Sequence, residues 1–235
     1  NANANNTTPG DSGIDERIDR LAGEPAPDIT PEEFAREREA YQATVGYMDQ
    51  QLDSLFTALQ ARGILDQTLV ILTSDHGEHF GEYGLKGHGN SLYTQLTHVP
   101  LLLRYPPALP AGVRVPQPVS FRDVPATVLE LAGGPSGTLP GHSLTRFFGA
   151  APDTAPTPVL MSVERENGDF YRAIAHGRDH LVEMTKGGGF FDFYADPLET
   201  TDRSADSTLA GRRAELVRML DSLLPVPPRK GKGAR

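Results

Sequence analysis

Apolar side chains recur at spacings of three, four and seven from Phe34 to Leu59, through Tyr41, Val45, Met48, Leu52, Leu55 and Phe56. That period puts them on one stripe of a long helix. The helix start is encoded in Thr30-Pro31-Glu32-Glu33: threonine at the N-cap, proline at the first helical position, and Glu33 completing a capping box. Gly63 marks its end. The pattern then changes. Thr68–Thr73 is a continuous apolar, β-branched run, and Val99–Arg104 is another. Such runs suit strands buried on both faces, as in a parallel sheet. A second helix is predicted over Ser91–Thr97 and a further one over Arg122–Leu131, closed by Gly133-Gly134. Alternating helices and strands are the rhythm of an α/β layer fold.

Past residue 151 the rhythm differs. Pro158–Val163, Phe170–Ala175, His180–Met184 and Phe190–Tyr194 are short segments separated by turn signals at Asn167-Gly168, Gly177 and Gly187–Gly189. A meander of antiparallel strands is the economical reading. Leu209, Leu216, Met219, Leu220 and Leu223 form a last helical stripe. The expected architecture is therefore α/β: part of a mostly parallel sheet with flanking helices over 30–150, then a small antiparallel sheet and helix over 151–224. Residues 1–29 read as a mobile lead-in, and the acid-free tail 225–235 as disordered.

Charge and composition narrow the function classes. Lys and Arg total 22 against 31 Asp and Glu, a formal net charge of −9. That balance argues against a nucleic-acid partner, since phosphate neutralisation needs clustered cations. No apolar run approaches the roughly 20 residues of a membrane helix, and the polar opening NANANNTTPGDSG has no signal-peptide character. The absence of cysteine excludes disulfides, thiolate metal sites and a cysteine nucleophile within this chain. Compartment stays open: periplasmic, membrane-anchored and cytoplasmic parents all fit.

Four of the seven histidines fall between His76 and His98. Asp75 and His76 directly follow the first apolar strand, where open α/β sheets bind their ligands. A carboxylate beside an imidazole offers an anionic oxygen and a neutral nitrogen to a divalent cation. Gly77, Gly81, Gly84, Gly87 and Gly89 let the following backbone curl. Lys86 and His88 lie in the same Gly-rich segment and are candidates for catalytic work. Blander readings stand beside these: Asp-His-Gly as a plain turn, Lys86 and His88 as solvated loop residues, His79 as a surface residue, and His98 as structural. His142, His176 and His180 carry no assigned chemistry.

Several segments together resemble the C-terminal half of a sulfatase of the alkaline-phosphatase-like superfamily. They are Tyr41–Asp49 (YQATVGYMD), Gly63–Glu78 (GILDQTLVILTSDHGE), His88–Tyr93 (HGNSLY), Val99–Leu102 (VPLL), Arg122–Gly133, and Phe191–Glu199 (FDFYADPLE), in the family's order. The resemblance implies that Asp75 and His76 are metal ligands. It implies that His88 faces the ester, with Lys86 two residues earlier sharing that work. The implied cofactor is a divalent metal, Ca²⁺ being usual for a sulfatase, while the imidazole of His76 shifts preference towards Mn²⁺ or Zn²⁺. Many sulfatases carry Asn at the second ligand position.

The family's nucleophile, a Cys- or Ser-x-Pro-x-Arg motif whose residue becomes formylglycine in sulfatases, has no match here. The implication is half an enzyme, inactive alone, whose partners are a small-molecule sulfate or phosphate ester and the missing N-terminal half of the same enzyme. A phosphodiesterase, phosphonate hydrolase or phosphoglycerol transferase of the same superfamily is the runner-up, and a non-catalytic binding module is the reading from another class. Asp75, His76 and His88 are expected to converge beyond the end of one strand.

Overall fold

The computed structural model describes residues 29–227, apart from 136, 138, 149–151, 154 and 166. The expected lead-in up to residue 28 and the tail from 228 lie outside the described residues. Helix α1 (Pro31–Ala61) starts where the capping box places it: the Glu33 N–H donates to Thr30 Oγ1 at 3.2 Å, and the Thr30 N–H donates to Glu33 Oε2 at 2.8 Å. It ends at Arg62, followed by Gly63 at φ +69°. None of its residues is buried, and Tyr41, Val45 and Met48 of the apolar stripe are exposed.

Strand β1 (Val70–Thr73) leads into a hairpin, β2 (His79–Phe80) and β3 (Lys86–Gly87). A single helical turn, α2 (Thr94–Thr97), and strand β4 (Leu101–Arg104) follow. The α/β character is as expected. The pairing is not: β1 and β4 form an antiparallel pair, Val70 opposite Arg104 and Thr73 opposite Leu101. An apolar run predicts that a strand is sheltered and carries no information about its direction. Direction is set by the excursion between the strands. The chain leaves β1 at Thr73, folds the hairpin and α2, and re-enters at the same end, where the Thr73 hydroxyl donates to the Pro100 carbonyl at 2.8 Å. Leu102 is exposed because no third strand joins this pair among the described residues. The predicted helix over Ser91–Thr97 shrinks to α2, with Ser91, Leu92 and Tyr93 buried ahead of it.

Helix α3 (Asp123–Leu131) is tied to the turn at Leu144–Phe147 through Thr127, whose hydroxyl accepts the Leu144 N–H at 2.9 Å. The meander forms as predicted: β5 (Val159–Glu164), β6 (Phe170–His176), β7 (Asp179–Glu183) and β8 (Gly188–Asp192), antiparallel in that spatial order. Alternation along its strands serves two cores. One face carries Tyr171, Ala173, Val182 and Phe191 against Leu92 and Tyr93. The other carries Ile174, Leu181 and Phe190 against Leu216 and Leu220 of α4 (Ala210–Leu223). On this second face Arg172 reaches Glu183 at 2.7 Å and Asp221 at 2.6 Å, joining the sheet to α4. The segment after β1 thus sits on one side of the meander and the last helix on the other.

Candidate active site

The candidate site begins two residues past β1, at Asp75. Asp75 accepts the His76 N–H at 3.0 Å, and that bond, reinforced by the imidazole beside it, holds the Asp75 carboxyl below its usual range. The side chain is 86% exposed and ionised at neutral pH, an anionic donor open to solvent. His76 Nδ1 lies 2.9 Å from the Gly77 carbonyl, a contact that puts a proton on Nδ1 and leaves Nε2 as the ring atom turned to other partners. His76 Nε2 is 3.6 Å from Asp75 Oδ2, close enough for both to meet one cation. Gly77 permits this turn for a steric reason: a Cβ there would lie 2.0 Å from the Gln95 carbonyl oxygen. Its N–H donates to the Leu96 carbonyl at 2.9 Å, seating the turn on α2.

The hairpin then folds the second half of the site back onto the first. His79 pairs with Gly87 and Phe80 with Lys86, so the next positions outward, Glu78 and His88, face one another. Glu78 Oε2 and His88 Nδ1 are 3.0 Å apart. The His88 ring stacks on that of His76 with centroids 4.1 Å apart and planes 28° apart. Asp75, His76 and His88 therefore lie close together past the β1 terminus. Lys86 goes elsewhere: its Nζ is 2.5 Å from Glu37 of α1. A second ion pair, Arg38 to Glu82 at 2.9 Å, fastens the hairpin tip to the same helix.

One expectation is overturned. His79 is not a surface residue: it is 1% exposed, with Nε2 2.8 Å from the Ser91 hydroxyl and its ring edge-on to Tyr93. Burial pushes its pKa down, so it is a neutral structural imidazole. The hairpin turns it inward, whereas a loop without strand pairing would have left it outside. Glu78, opposite His88, is the hydrogen-bonding partner of that histidine that sequence reading missed; the signal was the Gly81-Glu82-Tyr83-Gly84 turn between two short paired segments.

For a divalent cation, Asp75 and His76 are compatible donors: an ionised carboxylate and an imidazole with its free nitrogen fixed. They are two of the roughly four to eight ligands such an ion takes. No cluster of three or more His, Cys, Asp or Glu with metal-binding geometry occurs among the described residues.

The family model described as Sulfatase matches residues 3–134. The choline-sulfatase of Rhizobium meliloti (strain 1021) is 32% identical over 180 residues, covering 74% of this chain and 34% of that protein. Arylsulfatase K of Danio rerio is 40% identical over 117 residues, covering 49% of this chain and 22% of that protein. Among solved structures, the phosphonate monoester hydrolase of Agrobacterium radiobacter aligns with a TM-score of 0.70 at 25% identity, over 84% of this chain and 43% of that one. A 2-O GAG sulfatase aligns with a TM-score of 0.72 at 20% identity, over 88% of this chain and 48% of that one, a likeness of fold. The chain thus spans about a third of the choline-sulfatase's length and just under half of either structure. With the family model covering more than half of its residues and the fold recurring in sulfatase structures, this chain belongs to the sulfatase family.

Proposed function

We propose that this chain supplies the C-terminal part of the active site of a metal-dependent sulfatase that hydrolyses small-molecule sulfate monoesters. The observation that carries the reading is the stack of His88 on His76 beside Asp75 at the end of β1. In this reading Asp75 and His76 hold a divalent cation, Ca²⁺ in the usual sulfatase case and Mn²⁺ or Zn²⁺ where the imidazole decides. That cation, when bound, supplies Lewis-acid stabilisation of charge on the sulfate oxygens. Formylglycine and the remaining ligands belong to the N-terminal half of the family fold, and the isolated chain is inactive without them.

His88 acts on the ester. With Nδ1–H donated to the Glu78 carboxylate, its ring is held in one orientation and Nε2 is the atom left to face substrate. A proton on Nε2 donates to the leaving or non-bridging oxygen as charge builds there. Lys86, bound to Glu37, keeps the hairpin against α1, and only the part of its charge that Glu37 leaves uncompensated steers an anionic ester. The net charge of −9 makes such a local cation useful, because an anionic ester otherwise meets repulsion.

The test uses the enzyme in which this region is joined to its nucleophile half, assayed on an aryl sulfate and on an aryl phosphonate monoester. His88→Ala should lower kcat by about 10²–10³-fold. Lys86→Ala should act mainly on KM and its salt dependence. A His88→Ala enzyme near wild type, with Lys86→Ala inactive, reverses the two roles. The likeness to the phosphonate monoester hydrolase supports a second reading, phosphonate or phosphate ester hydrolysis at the same site. A kcat/KM for the phosphonate far above that for the sulfate would select it.

A further inference from the structure

We propose that Glu199, at the end of the FDFYADPLE segment, is a positioning residue that latches the hairpin segment carrying Lys86 and His88 onto the meander. The proposal rests on the reading of His88 and Lys86 as site residues, which assigns nothing to Glu199. Glu199 is 0% exposed, and each of its polar oxygens is spoken for. Oε1 lies 2.5 Å from Nδ1 of His180 on β7, and Oε2 accepts the N–H of Thr94, the first residue of α2, at 2.9 Å. Its carbonyl accepts the hydroxyl proton of Tyr83 from the hairpin tip.

Tyr83 and Glu199 are the two non-glycine residues with positive φ among the described residues, at +57° and +55°. Each pays a conformational cost for a left-handed backbone, and the two are bonded to each other. The neighbouring carbonyls extend the contact: Pro197 accepts from the Thr94 hydroxyl at 3.1 Å and Leu198 from Gln95 Nε2 at 2.8 Å. A buried carboxylate held by an imidazole on one sheet and by a backbone N–H on the other segment is costly unless both partners stay in place. The arrangement therefore favours one seat for the segment between Tyr83 and Thr94, and His88 lies inside it. Helix α1 grips the same segment from the other side through Glu37 and Arg38.

The test is amide exchange on the 235-residue chain, comparing Gly81 and Thr94 in the segment with Ala173 in the meander. Glu199→Ala should speed Gly81 and Thr94 relative to Ala173 by at least about tenfold, the worth of one lost hydrogen bond. Glu199→Gln, which keeps an oxygen for Thr94, should stay within about threefold of wild type. Leu220→Ala opens the opposite face of the meander and should not raise the ratio. The ring-proton signals of His88 should move in Glu199→Ala and not in Leu220→Ala. An unchanged ratio in Glu199→Ala, or an equal rise in Leu220→Ala, overturns the latch and reduces Glu199 to general stability. Should Glu199→Ala fail to fold, Tyr83→Phe removes the hairpin-side bond from an exposed ring; a ratio that rises several-fold supports the latch and an unchanged one overturns it. If the ratio and the His88 signals move while sulfate-ester turnover of the joined enzyme does not, the latch stands and the assignment of His88 to the active site fails.

Discussion

Replacing Tyr93 by phenylalanine removes one oxygen from the centre of the contact between the site segment and the meander. The ring is 4% exposed, stacks on Tyr83 at 3.8 Å and 12°, and meets Phe191 edge-on at 6.0 Å. All of that packing survives the substitution. What is lost is the acceptor for the Gly188 N–H, 2.9 Å away. A Cβ added at Gly187 would sit 3.0 Å from the same hydroxyl, so the site is tight and the freed N–H has little room for a replacement water. The cost is that of a part-buried donor left without its partner, about 1–2 kcal/mol. At about 2–4 °C per kcal/mol for a chain of this size, Tm should fall by about 2–8 °C. Tyr93→Ala, which also removes the ring, should cost about 3–5 kcal/mol. Urea unfolding of the three proteins measures this, with an unchanged m-value as the check that the denatured state is unaltered. Amide exchange at Gly188 should rise in Tyr93→Phe in step with the global loss or beyond it. A Tyr93→Phe protein as stable as wild type, or one as unstable as Tyr93→Ala, would falsify the hydroxyl's assigned role.

Three further outcomes follow from the same geometry. Leu220, 0% exposed beneath Ile174, Leu181 and Phe190, should lose about 2–5 kcal/mol on truncation to alanine, read from urea unfolding; a loss under about 1 kcal/mol would mean α4 is not packed as described. Burial pushes the pKa values of Tyr83 and Tyr93 upward, so the folded chain keeps protons that the unfolded chain gives up. Stability is therefore full below about pH 10 and falls as pH rises beyond it, and Tyr93→Phe should flatten that decline in urea midpoints taken across the alkaline range. Calorimetric titration of Ca²⁺ or Mn²⁺ into the isolated chain should show binding weaker than about 1 mM, because Asp75 and His76 fill a minority of the coordination shell. Tight stoichiometric heat would point to a ligand set beyond these two.

Local rules in the sequence carried much of this molecule. The capping box of α1, its glycine stop, the four strands of the meander and the helix after them all depend on side chains within a few residues, so period and turn chemistry suffice to place them. The nearness of Asp75 and His76 to a strand end was legible because the end of an apolar strand is a position that sequence marks, and the roles proposed for them and for His88 come from the resemblance to sulfatases. Sequence could not decide what depends on pairing at a distance. The direction of β4 against β1 is fixed by how the intervening segment folds back, and apolar runs look the same in either direction. Lys86 and His88 are two residues apart, yet one meets Glu37 and the other Glu78, because the hairpin register and α1 supply the partners. His79 is buried and Glu199 is the hub of a contact between segments more than a hundred residues apart, since a polar side chain can be buried wherever tertiary structure brings it a hydrogen-bonding partner. Composition and spacing determined which residues could do chemistry; the folded arrangement decided which of them meet.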